Sequence, residues 1–162
     1  MEIIVLRFIH VVGGVFWVGS MLFASFLLLP ALNETGPAMG TVMAALQRRG
    51  MATVLPIVAL LTILSGLRLM WITSAGFTSA YFGTAVGRTY TVAALAAILA
   101  LMLGFFVARP TAARAAQLAA SSSSADALAE LGRLRRRAGM VGAAITVLLL
   151  IAVTGMAVGR YV

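Results

Sequence analysis

His10 is the single histidine of the chain, and Arg7 lies one helical turn before it. Both sit in the apolar stretch Ile3–Leu29, which holds no other charged or titratable side chain. An imidazole can hold a metal or haem iron, or exchange a proton near neutral pH. A guanidinium clamps carboxylates and phosphates through paired donors. Arg68, Arg88 and Arg160 stand near the ends of later apolar stretches. With His10, Tyr81 and Tyr90, these arginines can frame a cationic pocket for a carboxylate, a phosphate or a haem propionate. The competing role is snorkelling, in which arginines near helix ends lay their stems on apolar surface and reach toward headgroups.

Four stretches must position these groups: Ile3–Leu29, Met51–Ile72, Arg88–Ala108 and Met140–Val158. Each is long enough to cross a bilayer as a helix, which takes about 20 residues. Ionisable groups at that depth are costly, which directs attention to Arg7 and His10. The chain is 62% hydrophobic and 10% charged with a mean hydropathy of +1.09. Soluble domains run about 45–50% apolar and about 25% charged. The expectation is a single all-α membrane domain over residues 1–162, a four-helix transmembrane bundle with short amphipathic helices in its cytoplasmic loops. The first stretch exceeds the 7–15-residue core of a signal peptide and reads as a retained helix.

The net charge is +8, and all 12 basic residues are arginine. Their places at helix ends and in two loops point to orientation and anionic lipid headgroups, not to nucleic acid. Arg48, Arg49, Arg109, Arg114, Arg133, Arg135, Arg136 and Arg137 fall in the first and third connections. Arg7, Arg68, Arg88 and Arg160 fall at the other end. The positive-inside rule then puts the basic loops in the cytoplasm and both termini outside, as in a bacterial inner membrane. There is no cysteine, which excludes disulfides, thiolate metal sites and cysteine nucleophiles. No Gly-rich phosphate loop, carboxylate pair or histidine–carboxylate pair within the membrane points to catalysis.

In the first loop, Met39, Val42, Met43 and Leu46 recur at helical spacing after Pro37, which predicts a surface helix. In the third, Arg109-Pro110 predicts a break, Thr111–Ala120 a helix, and Asp126–Arg137 a second helix capped by a serine. Arg133, Arg135, Arg136 and Arg137 end that helix and suit anionic lipid. Small residues recur four apart: Ala96, Ala100 and Gly104 on the third span, then Gly139 with Ala143 and Gly155 with Gly159 on the fourth. Such ladders let helices approach closely, within the chain, with a second copy or with another membrane protein.

His10, Gly14, Trp17 and Met21 share one stripe of the first helix at 100° per residue. The imidazole admits three roles. It can make a hydrogen-bonded helix contact, with Ser65 or a backbone carbonyl of the second helix as partner and Arg68 above. It can be an axial haem b ligand. It can bind copper beside a methionine. Met21, Met70 or Met102 could supply that methionine; Met21 lies about 16 Å along the helix, too far to share a metal, and Met70 is better placed by depth.

Leu6-Arg7-Phe8-Ile9-His10 followed by Gly14, Trp17 and Gly19 resembles the opening helix of CopD-like (copper-resistance D) membrane proteins. Leu29-Pro30-Ala31-Leu32, Thr35-Gly36-Pro37 and Leu64-Ser65-Gly66-Leu67 resemble small members of that group. A histidine–tryptophan helix of similar spacing occurs in haem-linked membrane protoporphyrinogen oxidases. The resemblance covers the first two helices and implies His10 as the ligand with Trp17 packed near it. Two functions follow as expectations. The first is a non-catalytic accessory subunit packed against larger membrane proteins of a bioenergetic kind. The second is a haem- or copper-binding protein using His10 and the outer arginines.

The arginine split generates a test of orientation. Single cysteines placed at Ser79 and Ser122 have no native thiol to compete with. An impermeant maleimide is expected to label Ser79→Cys in intact cells and to leave Ser122→Cys unlabelled until lysis. The reverse pattern inverts the topology.

Overall fold

The computed structural model describes residues 1–35, 38–121 and 124–162. Among them every element is helical. The first, α1, runs Glu2–Phe23, passes through a π-turn at Ala24–Leu28 and continues as Leu29–Glu34. Then come α2 (Ala38–Arg48), α3 (Met51–Thr73) and the short α4 (Ser79–Gly83). Helix α5 runs Ala85–Leu103, passes through a π-turn at Gly104–Ala108 and continues as Arg109–Ser121. Helix α6 (Ala125–Val158) closes in a 3₁₀ turn at Gly159–Tyr161. Four of these, α1, α3, α5 and α6, are long and apolar enough to cross a membrane, and they form an antiparallel bundle.

Both π-turns end immediately before an X-Pro pair, Leu29-Pro30 and Arg109-Pro110. A proline inside an α-helix has no N–H to give and its ring strikes the carbonyl four residues back. Those carbonyls belong to Phe26 and Phe106, each within its π-turn. The widened turn makes room for the ring, so both helices run on. The break expected at Arg109-Pro110 is therefore absent. The helices expected separately over 111–120 and 126–137 are instead continuations of α5 and α6 that pack on each other. At 1.5 Å per residue, the 34 residues of α6 span about 51 Å, against about 30 Å of hydrocarbon.

Caps and turns follow the local chemistry. The Thr84 hydroxyl accepts from Gly87 N at 2.9 Å to start α5, and Ser124 accepts from Ala127 N at 3.3 Å to start α6. The helix expected in the first loop is present as α2; its proposed start at Pro37 lies outside the described residues. Gly50 turns the chain from α2 into α3 at φ 86°, a conformation that glycine adopts without a Cβ penalty.

The helices pair as α1 with α3 and α5 with α6, and the two pairs meet at a shared core. The α5/α6 seam is made of small groups. Ala93, Ala96 and Ala100 are buried against the side of α6 that carries Ile145, Leu149 and Ala152. A Cβ added to Gly155 would stand 2.8 Å from Ala93 Cβ, and one on Gly159 would stand 2.7 Å from Tyr90 Cε1. The core joining the pairs is Trp17, Ala59, Ala100, Ile145 and Leu149. Beside it Ser25, in the first π-turn, shares a 2.8 Å hydrogen bond with the Thr146 hydroxyl.

The expected small-residue ladder is thus only partly used within the chain. Gly104 and Gly139 border open space, and Ala143 is exposed. At 100° per residue, Gly139 and Ala143 lie roughly 110–150° around α6 from the buried Ile145–Leu149–Ala152 stripe. Gly104 keeps the α-helical bond from its N–H to Ala100 O, yet a Cβ there would meet nothing within 4 Å.

Substitutions separate these classes of glycine. Gly155→Leu forces side-chain volume into a closed seam, where overpacking costs about 1–3 kcal/mol, and is expected to lower the unfolding temperature in detergent. Gly139→Leu meets nothing and is expected to leave it unchanged. Equal effects would show that the α5/α6 seam is not close-packed.

Candidate functional site

The α1/α3 seam carries the histidine. Thr62 and Ser65 are buried on α3, and their hydroxyls bond back to carbonyls of their own helix, Thr62 to Val58 O at 2.8 Å and Ser65 to Leu61 O at 2.7 Å. This satisfies both hydroxyls locally and leaves the Thr62 side chain packed against α1. Gly13 and Gly14 receive it: a Cβ on Gly14 would lie 3.8 Å from Thr62 Cγ2, and one on Gly13 would strike Thr62 Oγ1. One turn toward the termini, the imidazole of His10 lies on Gly66, where an added Cβ would be 2.6 Å from His10 Cε1. Glycine at this position lets the ring reach the other helix.

His10 Nδ1 is 2.7 Å from the backbone oxygen of Thr62. A carbonyl can only accept, so Nδ1 carries a proton and donates it to this bond. The carbonyl also accepts from the Ser65 hydroxyl at 3.0 Å. Ser65, named above as a companion of His10, therefore shares its acceptor instead of bonding to it. Trp17 sits about two turns deeper in the four-helix core, not at the ring.

The arginines divide by environment. Arg68 Nε donates to Glu2 Oε1 at 2.8 Å, an ion pair with both side chains about half exposed. Surface pairs of this kind contribute under about 1 kcal/mol in water. The pair nevertheless ties the end of α3 to the start of α1 and neutralises Arg68. Arg7 is exposed. Arg160 lies over the Tyr161 ring at 4.6 Å. Arg88 stands at the mouth of an open groove of about 560 Å³ between α5 and α6, with Thr89, Thr154 and an apolar floor including Val92, Leu150 and Ile151. No other outer arginine borders that groove. The pocket expected from arginines of all four helices is thus replaced by an ion pair, a ring contact and a one-arginine groove. Tyr81, outside the spans, packs edge-on against Phe82, and burial pushes its phenol pKa up against a lowering hydrogen bond from Thr73.

Among the described residues no three His, Cys, Asp or Glu side chains group together. His10 borders neither this groove nor the smaller one between α5 and α6 at the opposite end.

Residues that sequence reasoning passed over are Thr62 as the acceptor, Ser25 and Thr146 as an inter-pair bond, and Ala93 as the partner of Gly155. A signal was present for the first: Ala59, Thr62 and Gly66 are small and three to four apart, the spacing of a close-packed helix face. Comparison with protein-family models, curated proteins and solved structures returns no match to this chain.

A double-mutant cycle tests the ring-on-glycine contact. Gly66→Ala is expected to destabilise the parent, because the imidazole must shift. In the His10→Ala background the same methyl fills vacated space and is expected to be neutral or stabilising. Coupling between contacting residues runs about 0.5–3 kcal/mol; additive effects in thermal unfolding would refute the contact.

Proposed function

We propose that this chain is a non-catalytic integral membrane subunit that packs against partner membrane proteins through faces its own bundle leaves open. The carrying observation is the divided use of its small residues. Gly155 and Gly159 are filled by Ala93 and Tyr90, whereas Gly139 and Ala143 face outward with no neighbour at Gly139. Small residues at a helix surface permit close backbone approach by another helix. The α5/α6 hairpin, extended beyond a hydrocarbon thickness, offers further surface at the same end. The arginine distribution supports a cytoplasmic position for that end, with both termini outside, in a bacterial inner membrane. A CopD-like kinship is part of this proposal, on the residues of the first two helices.

One observation favours a second reading, haem or copper binding. Nδ1 of His10 donates to a backbone carbonyl, the arrangement that orients metal-ligating histidines and leaves Nε2 free to coordinate. The second ligand would come from a methionine such as Met70 or from a partner.

Purification of the tagged chain in mild detergent separates the readings. The subunit reading expects a stoichiometric membrane partner that is lost on Gly139→Leu/Ala143→Leu, with no Soret band and no stoichiometric copper. A cofactor signal abolished by His10→Ala would establish the second reading. A chain that purifies alone without either signal overturns both.

A further inference from the structure

We propose that the groove between α5 and α6 beside Pro110 binds the phosphate headgroup of an anionic phospholipid. This groove, about 320 Å³, lies at the arginine-rich end and is bordered by Arg114 of α5 and Arg137 of α6. Arginines from two different helices thus border one space. The nearby acids do not neutralise them: Glu130 pairs with Arg133 at 2.8 Å, and among the described residues neither Arg114 nor Arg137 has an ion pair. Like charges sharing a concavity repel, and a phosphate between them turns that repulsion into two charge-assisted, bidentate contacts. The Thr111 hydroxyl is committed to Val107 O at 2.6 Å, which leaves the arginines as the recognition elements.

The walls select a lipid over a free anion. Along α5 the lining passes from Phe106 and Val107 to Arg114, about 12 Å of helix rise that grades from apolar to charged. Phe106 and Val107 belong to the π-turn that accommodates Pro110, so the widened turn helps form the apolar wall. Such a gradient matches the boundary between acyl chains and headgroups, where basic pockets between helices hold anionic lipids. Continuity of α5 and α6 past this level places the two arginines on neighbouring, packed helices. Arg135 and Arg136 do not border the groove.

The inference rests on the arginine-rich end lying at a headgroup layer, as proposed above; partner binding is read separately by co-purification. The test uses the full chain, purified in nonionic detergent and delipidated, with thermal unfolding followed against added phosphatidylglycerol, phosphatidylcholine or inorganic phosphate. Phosphatidylglycerol is expected to raise the unfolding temperature of the parent and of Arg135→Gln/Arg136→Gln. In Arg114→Gln/Arg137→Gln the concentration needed is expected to rise about tenfold or more. Should that variant fail to fold, Arg114→Lys/Arg137→Lys keeps the charge but not the bidentate fork, and is expected to bind more weakly than the parent. Equal shifts in parent and groove variants, or equal losses in both glutamine pairs, would overturn the site. Equal stabilisation by phosphatidylcholine or by inorganic phosphate would overturn the anionic-lipid assignment.

Discussion

In hydrocarbon, apolar side chains gain little by leaving lipid for one another, so helices associate where their backbones can come close. Here that closeness is supplied at two seams. On α1 and α3 it depends on Gly13 and Gly14 beneath Thr62 and on Gly66 beneath the His10 ring. On α5 and α6 it depends on Ala93, Ala96 and Ala100 facing a side of α6 that includes Gly155. The polar groups within these seams follow from the same constraint. An imidazole at membrane depth needs a partner, and the close approach at Gly66 brings the Thr62 carbonyl to 2.7 Å.

The two pairs are joined by fewer contacts of a different type. Trp17 is the large side chain of the shared core, set among Ala59, Ala100, Ile145 and Leu149. Ser25 and Thr146 add one hydrogen bond across the junction. Ser25 lies in a π-turn, a local departure from α-geometry of the kind often found at functional positions. The second π-turn does equivalent work at Pro110. It lets α5 run on past Pro110 as a continuous helix, so its Arg109–Ser121 part pairs with the start of α6. The arginines of the third connection therefore sit on two packed helices, which separates Arg133, paired with Glu130, from Arg137, which shares a groove with Arg114.

The bundle leaves much apolar surface open, including Phe8, Val15, Phe26, Phe106 and Met140. Bulky side chains of this kind suit acyl chains. The open small positions at Gly139 and Ala143 are different, because they offer little area to lipid and a close approach to another helix.

Four membrane-length helices were legible in the sequence because a span needs an unbroken apolar run, and composition alone reveals it. The helix α2 was legible from spacing, and Ala96, Ala100, Gly155 and Gly159 from their four-residue recurrence. Gly104 and Gly139 share that recurrence yet face open space, because which face of a helix turns inward is decided by the neighbour it meets. Pro110 suggested a break, since a π-turn that spares a helix has no composition signal of its own. The acceptor of His10 is a backbone carbonyl, which every residue carries and no sequence pattern marks. Glu2 with Arg68 and Arg114 with Arg137 are distant in the chain. Periodicity along one helix carries the local information; the pairing of antiparallel helices, and so the register that brings these residues together, is a property of the tertiary structure.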